Sequence, residues 1–212
     1  INRPPSPVET YNDVDRDLVT FFRVLREQKD ALVEAIGLTP FSREEFELAC
    51  LPSEGLSDLE RARRFYVRAR QVRTGLAQTA SAGRWAHCLL TSRAGMAGAV
   101  SRWLGAVEDL PLIAQRLLRV QIEHGSGIEV VLRYDSAETL FYLDPPYVHG
   151  TRGDSKAYRH EMTDAQHRQL ADVLRGVRGK VALSGYDGAL MDELYGGWLK
   201  IEAPAKPCHS GK

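Results

Sequence analysis

Asp144-Pro145-Pro146-Tyr147 gathers a carboxylate, two prolines and an aromatic ring into four consecutive residues. The chemistry this set suits is attack by a planar, weakly nucleophilic amino group. In adenine the lone pair of the exocyclic nitrogen is delocalised into the ring. Two acceptors drawing on its two N–H bonds favour a tetrahedral nitrogen with a usable lone pair. The Asp144 carboxylate and the Pro145 carbonyl are two such acceptors, and the ionised carboxylate makes the stronger bond. Pro146 fixes the turn through its locked φ. Tyr147 offers a face on which a base can stack, a contact worth about 1–3 kcal/mol. The plainer alternative is a strand that happens to be followed by a Pro-Pro turn.

An element must present this set. Leu140-Phe141-Tyr142-Leu143 runs straight into Asp144. An unbroken apolar run of this kind predicts a strand buried on both faces of a parallel sheet. The prolines end it, because neither donates to a ladder. Asp144 then stands at the carboxyl end of a central strand, the edge at which open α/β sheets bind ligands. Val181 to Leu183 predicts a second buried strand which, if parallel, delivers Ser184-Gly185-Tyr186 to the same edge. Upstream, Val8 to Tyr11 predicts a short strand ending at Asn12-Asp13. Val120 to Glu123 predicts another, followed by the turn His124-Gly125-Ser126-Gly127. A carboxylate at a strand end can accept hydrogen bonds from the ribose hydroxyls of a nucleoside cofactor. Asp13 is the candidate, with capping of the next helix as the alternative use. The glycine-bearing turn at Ser126 can pass close to a cofactor's adenine, or be a plain strand-to-helix turn.

These motifs resemble those of the Dam-like DNA adenine N6-methyltransferases. Asp144-Pro145-Pro146-Tyr147 looks like the family's DPPY motif. Glu9 to Asp15 looks like its acidic segment after the second strand, and Leu183-Ser184-Gly185-Tyr186 like a later strand-end motif. The similarity covers nearly all 212 residues. The resemblance implies an α/β, Rossmann-like methyltransferase sheet with a helical insertion. It implies methyl transfer from S-adenosylmethionine to the amino group of an adenine flipped out of double-stranded DNA, without a metal, in a bacterial or phage setting. It gives catalytic roles to Asp144, Pro145, Pro146 and Tyr147. Cofactor contacts fall to Asp13, Ser126 and Asp144, and DNA contacts to Ser184 and Tyr186. Where this chain has Ser126, the family often has a carboxylate. Relatives also carry a glycine-rich loop of the Phe-x-Gly-x-Gly sort before the acidic segment, and a final strand after a Gly-Lys element. Neither is visible here, so the chain reads as clipped at both ends, with a missing complementary segment as one explanation and weak or absent S-adenosylmethionine binding as the expectation. Two alternatives stand beside this reading: amino-methylation of RNA or cytosine, and a non-catalytic nucleic-acid-binding remnant. Asp rather than Ser or Asn before the prolines favours adenine, by resemblance.

Composition sets the bounds. Hydrophobic content of 43% and charged content of 26% are ordinary for a soluble protein. Cys50, Cys88 and Cys208 are far apart and odd in number, fitting neither a zinc spacing nor a disulfide framework. A reducing cytoplasm is the simplest compartment, and no apolar run approaches a membrane span. The formal charge is zero, but from Arg61 to Val107 there are nine arginines and no Asp or Glu. A block this one-sided is a candidate polyanion surface.

Residues 40–118 do not alternate strand and helix. They predict a helical, arginine-rich insertion, a candidate target-recognition region, within a catalytic α/β domain formed by 1–39 and 119–212. Before it, Leu18, Phe21, Phe22 and Leu25 predict one helix closed by Gly37 and Pro40. Ser42 with Glu45, and Ser57 with Glu60, match capping boxes. The helix after Ser57 carries Arg61, Arg64 and Arg68 on one face, a stripe suited to DNA phosphates or simply solvated. A later helix through Trp103 is expected to end near Pro111. The polar loop Val148 to Glu161, with His149, Arg152, Lys156, Tyr158, Arg159 and His160, is either solvated or holds phosphates. Thr163 with Gln166 is a third capping box, Asp187 is a candidate cap for a short helix, and Trp198 to Glu202 predicts a last strand.

Overall fold

Elements form where a cap coincides with an apolar period. The computed structural model describes residues 4–73, 75–149 and 159–202. Arg152, Lys156 and Tyr158 of the polar loop lie outside the described residues, as does the tail from Pro204. Two units are distinguished, residues 1–127 and 128–212. No described helix is long and apolar enough to cross a membrane.

The first unit begins with strand β1 (Glu9–Asn12), then α1 (Arg16–Glu27) and α2 (Lys29–Gly37). Asp15 caps α1, its carboxylate accepting the Asp17 amide at 2.9 Å. The single helix expected up to Gly37 is broken at Gln28, whose φ of −131° and ψ of 40° are not helical. Gly37 stays inside α2 instead of turning left-handed; the helix ends there, with the Thr39 hydroxyl donating to the Ala35 carbonyl at 2.7 Å. Next come α3 (Arg43–Ala49) and α4 (Asp58–Gln71), the short hairpin β2 (Ser92–Arg93) and β3 (Met96–Ala97), then α5 (Gly98–Glu108) and α6 (Leu110–Leu117). Ser42 and Ser57 cap α3 and α4 as expected, but the carboxylates of Glu45 and Glu60 bind Arg63. Pro111 does not stop a helix. It opens α6, where a missing N–H costs nothing.

Strand β4 (Val120–Glu123) closes the unit by pairing in parallel with β1, in register from Glu9 with Val120 to Asn12 with Glu123. One core joins α1 to α6: Leu25, Leu32, Ile36, Phe46 and Val67 are all fully buried in it, and Trp103 is nearly so. The segment 40–118 thus packs on α1 and α2 through a shared core.

The second unit opens with α7 (Gly127–Arg133). It contains β5 (Leu140–Leu143), α8 (Asp164–Gly176), β6 (Lys180–Leu183) and α9 (Ala189–Tyr195). Thr163 and Gln166 form a reciprocal capping box on α8. Strands β5 and β6 run parallel, Leu140 opposite Lys180 and Leu143 opposite Leu183. Phe141, Leu143 and Val181 pack on a cluster of Val131, Leu170 and Leu174. The expectation of burial on both faces is corrected here. Leu140 is 69% and Tyr142 72% exposed, because within this unit helices cover one face of the strand pair. The expected strand at Trp198 to Glu202 does not form. That segment pairs with no described strand, and Leu199 and Ile201 stand exposed. Asp187 does not cap α9 either; Gly188 holds that position, and Asp187 is paired with Lys200 at 2.7 Å.

The amino ends of β5 and β6 are tied. The Asp135 carboxylate accepts the amides of Arg178 and Gly179, each at 2.9 Å, and the Lys180 amide donates to the Thr139 carbonyl at 2.8 Å. Those amide bonds, with the Arg178 side chain, hold the Asp135 carboxyl below its ordinary range. A Cβ on Gly179 would come within 2.9 Å of both the Phe141 ring and the Thr139 carbonyl. Gly179→Ala is therefore expected to destabilise the fold by about 1–3 kcal/mol. The urea midpoint checks this; an unchanged midpoint would show that the strand end gives way freely.

Candidate active site

Parallel pairing of β5 with β6 puts their carboxyl ends side by side. The Ser184 amide donates to the Leu143 carbonyl at 3.0 Å, extending the ladder one residue past the strands. The Ser184 hydroxyl donates to Asp144 Oδ1 at 2.6 Å, with the Leu143 carbonyl 3.1 Å away as a second acceptor. Beyond them the rings of Tyr147 and Tyr186 meet edge to face, centroids 4.7 Å apart and planes at 76°. Pro145 and Pro146 link Asp144 to Tyr147 and are half-buried, while Asp144 itself is exposed. The edge thus combines an accessible carboxylate, a proline carbonyl and two tyrosine rings. A planar group with two N–H donors is the complement of the first two, and a flat π-face of the third.

The β1 and β4 ends form a separate constellation in the first unit. Asn12 bridges to the turn after β4: its amide nitrogen donates to the Gly125 carbonyl, and its amide oxygen accepts the Gly125 N–H, both at 3.1 Å. This double tie holds the turn carrying Ser126, which is exposed. Asn12 was not among the residues singled out from sequence, although an Asn at a strand end facing a glycine turn is a recognisable sign of it. Asp13 is not the helix cap, since Asp15 fills that position. Asp13 accepts the Asp15 amide and the Tyr11 hydroxyl, each at 2.8 Å. Burial, then the Asp13 charge and hydrogen bond, push the Tyr11 phenol well above its ordinary value, so it remains a neutral donor. The half-buried Asp13 carboxylate is oriented by two donors and keeps acceptor capacity, since a carboxylate has about four lone-pair sites. That donor and acceptor set fits a ribose diol.

Arg61, Arg64 and Arg68 lie along α4, but their guanidiniums are turned to protein partners and do not stand out as a stripe. Asp17 on α1 accepts from Arg61 at 3.1 Å and from Arg68 at 2.8 Å. Arg68 also donates to the Ala49 carbonyl at 2.8 Å and is itself buried. Arg64 binds Glu60 at 2.8 Å and the Leu48 carbonyl at 3.0 Å. Arg63 spans Glu60 and Glu45 at 2.7 and 2.8 Å, and its hydrogen bond to Glu60 is the largest cause holding that carboxyl below its ordinary range. Within the acid-free window, Arg61, Arg63, Arg64 and Arg68 are neutralised from outside it, by Glu60 just before it and by Asp17 and Glu45 on other helices.

Compared with known proteins, the chain matches the model for D12 class N6 adenine-specific DNA methyltransferases over residues 7–205. No curated protein matches it.

Proposed function

Because the chain belongs to the D12 class N6 adenine-specific DNA methyltransferases, we propose that it moves a methyl group from S-adenosylmethionine to N6 of an adenine swung out of double-stranded DNA. The observation that carries this reading is the meeting of Asp144, Tyr147, Ser184 and Tyr186 at the carboxyl edge of β5 and β6.

The roles follow from that edge. The adenine amino group donates one N–H to the Asp144 carboxylate and the other to the Pro145 carbonyl, which frees its lone pair. Tyr147 stacks on the base, and Tyr186, held edge-on to it, keeps its ring in place. Ser184 orients the carboxylate through Oδ1. When bound, S-adenosylmethionine would supply an electrophilic methyl group, with the neutral thioether as its leaving group. As N6 becomes cationic, Asp144 and the Pro145 carbonyl bind it more tightly than they bound the neutral amine, and this preference for developing charge is what lowers the barrier. The N6 proton, now acidic, leaves to water, so no general base with a raised pKa is required. Asp13 would hold the ribose hydroxyls of the cofactor, and the Ser126 turn, tied by Asn12, would contribute to the same site.

In this reading 1–39 and 119–212 contribute a Rossmann-like α/β methyltransferase domain and 40–118 an insertion that recognises DNA. Two parallel strand pairs, each with a helix after its first strand, support the α/β part. The test is incubation of the chain with methyl-labelled S-adenosylmethionine and duplex DNA, followed by digestion to nucleosides. Label in N6-methyldeoxyadenosine is expected. Label in cytosine, or transfer to RNA alone, would replace this function with the amino-methylation of another base or nucleic acid.

A further inference from the structure

Three of the nine arginines in the acid-free window are placed differently from those on the inner side of α4. Arg70, at the end of that helix, Arg73, just after it, and Arg102, on α5, line one cleft of about 420 Å³ together with His87. All four are exposed. Among the described residues, none of the three arginines has a carboxylate within 4.0 Å, whereas Arg61, Arg63, Arg64 and Arg68 all do. Arg70 has the Tyr66 hydroxyl as a side-chain partner, a phenol that burial pushes up to about 12 and so keeps neutral, with the Asp109 charge acting on the same phenol.

The walls of this cleft are fixed by the fold. Gln71 is fully buried, accepts the Trp85 indole N–H at 3.1 Å and donates to the Pro40 carbonyl at 3.3 Å. The Ala86 amide donates to the Gln71 carbonyl and the Arg73 amide to the Arg84 carbonyl, both at 2.8 Å. On the other side Arg102 lies against Gly98, where an added Cβ would stand 3.6 Å from its guanidinium, and the Gly98 amide donates to the Thr91 carbonyl at 3.0 Å. Three cations held around one open concavity, none with a described carboxylate within 4.0 Å, repel each other. An anion bridging them relieves that repulsion, and a tetrahedral phosphate group accepts from several guanidiniums at once.

We propose that this cleft, and not the inner face of α4, grips the DNA backbone, with Arg70, Arg73 and Arg102 as ligands for phosphate. The inference rests on DNA being the substrate. The contact is to the backbone and carries no sequence information directly. Arg61, Arg64 and Arg68 on the inner side of α4 then act one step behind it, holding the helix that carries Arg70.

The experiment is fluorescence anisotropy of the full chain on matched and scrambled duplexes across a salt series, with variants R70A/R73A/R102A, R70K/R73K/R102K and R61A. The alanine triple is expected to weaken binding alike on both duplexes and to flatten the slope of log affinity against log salt by about one to two units, roughly 0.9 per phosphate lost. The lysine triple, which keeps the charges, is expected to retain most of the slope, and R61A to retain all of it. An unchanged slope in the alanine triple overturns the proposal. So does a flattened slope in R61A alone, which would return the phosphate contact to α4. Normal methyl transfer to DNA by the unmodified chain alongside an unchanged slope in the triple would reject the cleft and leave the function standing. Failure of the unmodified chain to bind DNA would reject both.

Discussion

With Asp144 replaced by Ala, methyl transfer to DNA adenine is expected to fall by about a hundredfold to a thousandfold, ~3–4 kcal/mol of barrier, while the fold survives. The size follows from removing one fixed, charged acceptor aimed at a nitrogen that becomes cationic. The survival follows from its surroundings. Asp144 is exposed, and its bond at the strand edge is with the Ser184 hydroxyl. That hydroxyl has the Leu143 carbonyl within 3.1 Å to turn to. Asp144→Asn keeps an acceptor of the same shape without the charge and is expected to fall between Asp144→Ala and the unmodified chain. Labelled methyl transfer beside a circular-dichroism melt makes both measurements. Activity of Asp144→Ala above about a tenth of the original, a loss under about 1.4 kcal/mol, would remove the carboxylate from the mechanism.

The largest expected effect on stability is at Asp17. Its carboxylate joins α1 to α4 by receiving both Arg61 and Arg68, and the side chains of Asp17 and Arg68 are only 13% and 11% exposed. Asp17→Ala leaves two guanidiniums partly buried without their counter-charge. Removing one partner of a fully buried pair costs about 3–5 kcal/mol; with water still reaching this one, a loss of about 2–4 kcal/mol in urea unfolding is expected. Adding Arg68→Met to Asp17→Ala is expected to recover part of it, because an apolar side chain of similar reach removes the stranded charge. A loss below about 1 kcal/mol for Asp17→Ala would make the triad an ordinary surface ion pair.

The meeting of Asp144 with Ser184 at the carboxyl ends of β5 and β6 was legible in the sequence for a local reason. Four apolar residues meeting two prolines leave few alternatives to a strand end, and Ser184-Gly185-Tyr186 follows a second run of the same kind. The burial of that strand was not legible, since an all-apolar run does not say which of its faces a helix covers; here Leu140 and Tyr142 are left out. The break at Gln28 was hidden because Leu25, Leu32 and Ile36 stay in phase across it, so apolar spacing alone describes one helix. Charge was hardest. Nine arginines in an acid-free window look alike in one dimension. What separates Arg68 from Arg73 is the fold, which brings Asp17 to one and no described carboxylate within 4.0 Å of the other.

The bond from Ser184 to Asp144 spans 40 residues of chain. Local order cannot create it: α8 can form on its own capping box, but Asp144 acquires its hydroxyl partner only after β5 and β6 have found each other in register. Closing a segment of that length carries an entropic toll before any contact rewards it, and parallel pairings of this kind are intrinsically slow to form. On the role proposed for Asp144, catalytic competence would wait on that long-range pairing. A partly folded molecule with every helix in place would still lack the bond from Ser184 that orients the Asp144 carboxylate.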